Sequence, residues 1–307
     1  MDILLQQIIN GLVQGSVYAL VALGYTMVYG ILGLINFAHG EVVMVGAMVA
    51  LMVSQLLLAA GLPPLLVLLI ALMVAAAACM ALGYTIERVA YRPLRHAPRL
   101  APLITAIGMS IVLQNLAMMF WGREYHAFPQ LLPNSPHTFG GAVINEVQII
   151  IVLTALLMMA GLMLLIHRSR LGRAMRAVSE NPSAAALMGV DANRVISITF
   201  MIGSALAAVA GIMVSANYGI VHYYMGFMLG LKAFTAAVLG GIGNMRGAMF
   251  GGMLLGLIES LGAGYVGGLT GGFFGSHYQD VFAFIVLIGV LVFRPSGLFG
   301  ERVTERA

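Results

Sequence analysis

An asparagine, a histidine and a glutamate fall within six positions of one another in GLINFAHGEVV, residues 33–43, inside a stretch that otherwise reads as lipid-buried helix. Charged residues are 8% of the chain and hydrophobic ones 61%, so polar groups here need a reason. A charged side chain at mid-bilayer costs at least about 2.5–3.5 kcal/mol on insertion scales, and it faces a bundle interior or an aqueous cavity. Asn36, His39 and Glu41 therefore have two readings. Either they line a path through the membrane beside Gly33, or Asn36 caps the helix that follows while His39 and Glu41 sit in water at a hairpin end. Catalysis is the weaker option. No HExxH, GxSxG or Cys–His pattern accompanies the pair, and His126 and His137 stand apart from any acidic cluster. Cys79 is the single cysteine, which excludes a disulfide framework and a cysteine-based metal site. Neither enzymatic activity nor a cofactor is expected of this chain.

Lys232 is the only lysine. It either snorkels to the headgroup level or faces a carboxylate, with Glu259 in GLIESLG as the partner. Thr235 shares its helical face, and Ser260 is placed to share the contacts of Glu259.

These residues must be held by membrane helices. Apolar runs near 5–30, 40–60, 64–86, 100–121, 147–166, 195–217 and 280–293 approach or exceed the roughly 20 residues of a span. The Gly-rich stretch 228–263 adds two more passes. The alternation of a barrel is absent. The expected fold is all-α, a polytopic helical membrane protein of eight to ten transmembrane or re-entrant helices forming one domain, 1–307. MDILLQQIIN lacks a basic region before its apolar run, so the first helix is read as retained. The net charge of +4 reads as an orientation signal rather than a nucleic-acid footprint. Arg88, Arg92, Arg95 and Arg99, then Arg168, Arg170, Arg173 and Arg176, then Arg294, Arg302 and Arg306 form three clusters. The positive-inside rule makes all three cytoplasmic. The segment 122–146 is then external, the N-terminus outside and the C-terminus cytoplasmic.

Two segments resist a plain spanning reading, 24–47 and 234–256. Shifted by 208 positions, Gly33-Leu-Ile-Asn36 falls on Gly241-Ile-Gly-Asn244, with Gly243 inside the second. Paired Gly-interrupted segments in corresponding halves point to a transporter's substrate path. Chance similarity between Gly-rich stretches is the competing account, and Gly252-xxx-Gly256 also suits close helix packing.

The loop 167–194 contains a short helix of its own. Asn181 is a good N-cap, Pro182 suits the first helical position, Ser183 to Met188 tolerate helix, and Gly189 can take the left-handed stop. An amphipathic stretch with Arg173, Arg176 and Glu180 precedes it. A helix this short is marginal alone, so it packs on its own bundle or on a partner. It either transmits force, with Ala185 at its centre, or only orients the protein. No GxxxxGK[ST] occurs, so any ATP hydrolysis belongs to another subunit.

Five strings, GYTMVYGILGLINFAHGE (24–41), IERVAYRPLR (86–95), LITAIGMSIVLQN (103–115), GRAMRAVSENPSAAALMGV (172–190) and KAFTAAVLGGIGNMRGAMFGG (232–252), resemble the permease subunits of bacterial ABC importers for branched-chain amino acids, and the shorter of the two permeases in particular. The resemblance covers nearly the whole chain and is weakest over 122–146. It implies a bacterial inner-membrane subunit that pairs with a second permease, or a second copy. It also implies two cytoplasmic ATPase subunits carrying ATP and magnesium, and a periplasmic or extracellular protein delivering Leu, Ile or Val. No nucleic-acid partner is implied. Helix 181–189 then resembles a coupling helix, and the two Gly-interrupted segments lie along the path. Urea and short-amide permeases are similar and remain an alternative for substrate. A channel or ion-driven carrier is the alternative of another class, and has no reason to carry the 172–190 loop.

Overall fold

A computed structural model describes residues 2–95, 97, 98, 100–269, 278–294 and 296–300. Arg99, Arg302 and Arg306 of the basic clusters lie outside the described residues. The apolar runs become helices: α1 (Asp2–Leu32), α2 (His39–Ala59), α3 (Pro64–Ile86), α4 (Leu100–Trp121), α5 (Glu146–Arg168), α6 (Arg170–Glu180), α7 (Pro182–Leu187), α8 (Ala192–Tyr218), α9 (Met225–Gly240), α10 (Met245–Leu269) and α11 (Gln279–Phe293). Seven of them are long and apolar enough to cross a membrane, and α9 and α11 are shorter apolar helices. The protein is a multi-pass helical membrane protein. The short helices α6 and α7 carry the segment between α5 and α8.

Not everything is helical. His126–Ala127 (β1) pairs antiparallel with Ile220–Val221 (β4), and Pro136–Phe139 (β2) pairs with Ala142–Asn145 (β3). These ladders organise loops and build no closed sheet. The Gly-interrupted segments also differ from a helix broken in mid-span. Each break falls between two helices, at 33–38 between α1 and α2 and at 241–244 between α9 and α10.

Two compact units divide the chain, one of Met1–Thr26, Ser135–Met159 and Lys232–Ala307, the other of Met27–Asn134 and Ala160–Leu231. In the first, α1 and α10 touch backbone to backbone. A Cβ on Gly252 would strike Ala19, and one on Gly256 would strike Gly11 and Gly15, so the small-residue spacing does serve close packing. In the second, α2, α3 and α8 approach in the same way. Gly46 lies against Ala208 and Cys79, Gly83 against Ser204, and Gly211 against Val43 and Ala47. Apolar surface is left outward on α4 and α5, where Ile104, Ile111, Met119, Leu157 and Leu164 are exposed. Such a face suits lipid.

At the end of α3 the helix loosens into a π turn, Glu87–Tyr91, and a 3-10 turn, Arg92–Leu94. A π turn often marks a place where side chains must be aimed rather than merely stacked.

Candidate functional site

Among the described residues three polar clusters lie in or beside the helices. The first surrounds the 33–38 connection in the second unit. Asn36, His39 and Glu41 are all buried, at 4%, 1% and 1% exposure, so the reading that leaves His39 and Glu41 in water is corrected. The reason is steric. Gly40 lets α2 press against the backbone of Gly226, and the first turn of α2 is enclosed. Asn36 does not cap α2 with its side chain either. The cap position is Ala38, with no side-chain bond, while the Asn36 carbonyl accepts from the His39 amide at 3.0 Å. Its Oδ1 instead accepts from the Tyr91 hydroxyl at 3.1 Å. Glu41 Oε1 accepts from Ser110 Oγ at 3.1 Å and Gln114 Nε2 at 2.7 Å, both on α4. Its Oε2 is buried with no hydrogen-bond partner among the described residues. Among the described residues all the donors to this carboxylate are neutral.

The second cluster sits at the π turn. Glu87 is fully buried and ion-paired to Arg92 at 3.3 Å and to Arg95. Its Oε2 also accepts from Ser197 Oγ at 2.7 Å, and Arg95 Nη1 donates to Asn193 Oδ1 at 2.6 Å. Burial pulls the Arg95 guanidinium below its usual pKa, with the Glu87 charge opposing that shift. Two arginines of the Arg88–Arg99 cluster thus hold a buried carboxylate.

The third cluster belongs to the first unit. Lys232 does not simply snorkel; its Nζ stands 3.3 Å from Glu259 Oε2 and 2.5 Å from Asp280 Oδ1. Glu259, fully buried, also accepts from Tyr18 OH at 2.6 Å and Gln14 Nε2 at 3.0 Å. Thr235 is buried on the same helix as Lys232. Ser260 does not share the contacts of Glu259. One residue on, it faces α1 and donates to the Gln7 carbonyl at 2.8 Å. Past the end of α9, Gly241 and Gly243 take left-handed φ of +101° and +97°. Asn244 Oδ1 caps α10 by accepting from the Gly247 amide at 3.1 Å, while its Nδ2 donates to the Phe299 carbonyl at 3.0 Å.

The segment between α5 and α8 is built from caps. Ser169 caps α6, Asn181 caps α7 through the Ala184 amide at 3.0 Å, and Asp191 caps α8 through the Arg194 amide at 3.1 Å. Pro182 opens α7, and Gly189 closes it at φ +81°. α6 buries Gly172, Met175 and Val178, leaving Arg173, Arg176 and Glu180 exposed. Ala185 is buried beneath α7, Ser183 is exposed, and Leu187 and Met188 stand 90% and 85% exposed.

Sequence reasoning missed Tyr91, Ser110, Gln114, Glu87, Tyr18, Gln14 and Asp280. Two signals were available: Gln and Glu are rare in spans, and each needs a partner. Among the described residues no group of three or more His, Cys, Asp or Glu side chains is arranged to hold a metal ion.

Long apolar helices with polar clusters buried among them define a multi-pass helical membrane protein. The chain belongs to the family described as branched-chain amino acid transport system / permease component, whose model matches residues 7–291. It is 50% identical to the high-affinity branched-chain amino acid transport system permease protein BraD of Pseudomonas aeruginosa, over 98% of this chain and 97% of that one. It is 46% identical to the corresponding LivH protein of Escherichia coli, with the same coverage. The probable branched-chain amino acid transport permease protein LivH of Methanocaldococcus jannaschii is 28% identical over 95% of this chain and 91% of that one.

Proposed function

We propose that this chain is the permease subunit of an ATP-driven importer for branched-chain amino acids in a bacterial inner membrane. It works with a second permease or a second copy, two cytoplasmic ATPase subunits that carry the nucleotide and magnesium, and a binding protein that delivers leucine, isoleucine or valine. The hydrolysis belongs to the partners, so this chain is not itself an enzyme. Relatives covering nearly its whole length are named for branched-chain amino acid transport, which supports the substrate class.

The observation that carries the mechanism is α7. A six-residue helix is unstable by itself, yet this one is capped at both ends and projects Leu187 and Met188 outward. Apolar side chains held out on a braced helix suit a groove on a partner, as Arg173 and Arg176 on α6 suit an acidic rim. With α7 on the cytoplasmic side, the C-terminus is cytoplasmic too. Each unit taken by itself, we propose Gly33, Asn36, His39 and Glu41 of the second and Lys232, Thr235, Gly241, Gly243, Asn244 and Glu259 of the first as path-lining residues. Asn36, His39, Glu41, Thr235 and Glu259 are chosen as buried polar groups, Lys232 as the partner of Glu259, and Gly33, Gly241, Gly243 and Asn244 as members of the joints between helices.

The test is uptake of labelled leucine, with urea in parallel, in cells lacking this chain and complemented with it, ATP being depleted separately from the ion gradients. Leucine uptake should vanish with ATP alone. Urea uptake instead would change the substrate, and uptake surviving ATP loss would overturn the mechanism. Ala185→Pro breaks α7, so it should abolish substrate-stimulated ATP hydrolysis while the protein remains in the membrane.

A further inference from the structure

We propose that Tyr91 and Glu87 are positioning residues that tie the Asn36 connection to the α7 end of α8, so that a displacement of α7 is felt at Asn36. This inference rests on the reading of α7 as the partner-facing helix.

The link begins without slack. α7 is joined to α8 through Met188, Gly189, Val190 and Asp191 alone, and Val190 is held by its amide donating to the Ala185 carbonyl at 3.0 Å. Asp191 is already the cap of α8. Displacing α7 therefore displaces the first turns of α8. Those turns grip the π turn through Ser197 and Phe200 and the residue after the 3-10 turn through Asn193, three positions that recur at the spacing of one helical face. Asn193 receives Arg95 at 2.6 Å and Ser197 donates to Glu87 at 2.7 Å. The Phe200 ring packs on Tyr91 with centroids 5.3 Å apart and planes tilted by 54°.

The grip is stiff because of its chemistry. Glu87 is fully buried and the Arg95 side chain is only 13% exposed, so separating them would strand charge in a low-dielectric interior. Tyr91, four residues after Glu87 and 1% exposed, passes the constraint on. Its hydroxyl donates to Asn36 Oδ1 at 3.1 Å and lies 3.3 Å from the Ile35 carbonyl. Asn36 in turn bonds through its carbonyl to the His39 amide that opens α2. A cluster serving only to fasten α3 to α8 would need Glu87 and its arginines. It would have no use for the Tyr91 hydroxyl.

The experiment uses the whole transporter in liposomes, with its ATPase subunits and binding protein, and reads leucine moved per ATP hydrolysed together with basal hydrolysis. Tyr91→Phe removes one oxygen and keeps the ring on Phe200. The ratio should fall about fivefold or more, the lower range of measured coupling between sites, while basal hydrolysis is unchanged. Asn36→Ala should lower the ratio similarly, and the double variant should fall no further, as befits one shared interaction. Glu87→Gln should uncouple at least as strongly; should it fail to assemble, Ser197→Ala takes its place. A normal ratio in Tyr91→Phe, or additive losses in the double variant, overturns the link. Ala185→Pro separates the two failures. If it uncouples while Tyr91→Phe does not, only the link falls; if Ala185→Pro stays coupled, the reading of α7 falls with it.

Discussion

The connections at 33–38 and 241–244 look alike on paper and are built differently. Each begins with a left-handed glycine one residue past a helix, at φ +63° for Gly33 and +101° for Gly241, and each carries an asparagine three residues later. Around Gly33 there is room, and an added Cβ would meet nothing within 4 Å. Around Gly241 the strand of backbone at 297–300 closes in. Leu298 and Phe299 donate to the carbonyls of Leu239 and Gly240 at 2.9 and 3.0 Å. Asn244 caps its own helix, whereas Asn36 spends its side chain on Tyr91. The buried carboxylates of the following helices differ in the same sense. Among the described residues Glu41 has only neutral donors, and Glu259 has a lysine. One connection caps its own helix and is strapped by the backbone of 297–300; the other is held by a single tyrosine side chain. Similar residues at matching positions thus give a fixed joint in one unit and a tethered one in the other.

The largest effect should come from the charged side of this contrast. Lys232→Met leaves Glu259 buried without its counter-ion and should cost about 3 kcal/mol, read as a fall in the unfolding midpoint in detergent. Adding Glu259→Gln should restore most of it. Gly241→Ala should follow at about 2 kcal/mol or more, combining left-handed strain with a clash, whereas Gly33→Ala should cost about 1 kcal/mol from strain alone. Equal losses would erase the distinction between strapped and open. Asn244→Ala loses both a cap and its bond to Phe299, about 1.5 kcal/mol, against about 1 kcal/mol or less for Asn36→Ala. The order would reverse if Asn36 were the structural one. The smallest change should be Glu41→Gln, about 0.5 kcal/mol or less, because an amide oxygen still accepts from Ser110 and Gln114. A loss as large as that of Lys232→Met would mean that Glu41 meets a charge after all.

Much of this architecture was legible in the sequence because its causes are local. Apolar runs set the helices, so the expected 64–86 and 100–121 coincide with α3 and α4. The short helix α7 was legible for the same reason, since Asn181, Pro182 and Gly189 act within a turn of themselves. The polar clusters were legible only by halves. Asn36, Glu41 and Glu259 stand out against an apolar background, but their partners come from far along the chain. Tyr91 is 55 residues from Asn36, and Tyr18 is 241 from Glu259. Composition flags a buried polar group and cannot say what satisfies it. The reading of Asn36 as a cap fails because α2 opens at His39 with Ala38 in the cap position, and the Asn36 side chain meets Tyr91 instead. The loop ladders escaped notice because strands of two to four residues carry no periodic signal.

The meeting of α1 and α10 through Gly11, Gly15, Gly252 and Gly256 has a mechanical corollary. Two helices whose backbones touch have no side-chain cushion to compress or re-rotamer, and closely packed interiors switch between discrete arrangements rather than deform smoothly. The pair behaves as a single spar, turning as a whole or not at all. Whatever bending this unit undergoes is concentrated in its glycine joints, where a few backbone torsions can turn without prying the spar apart.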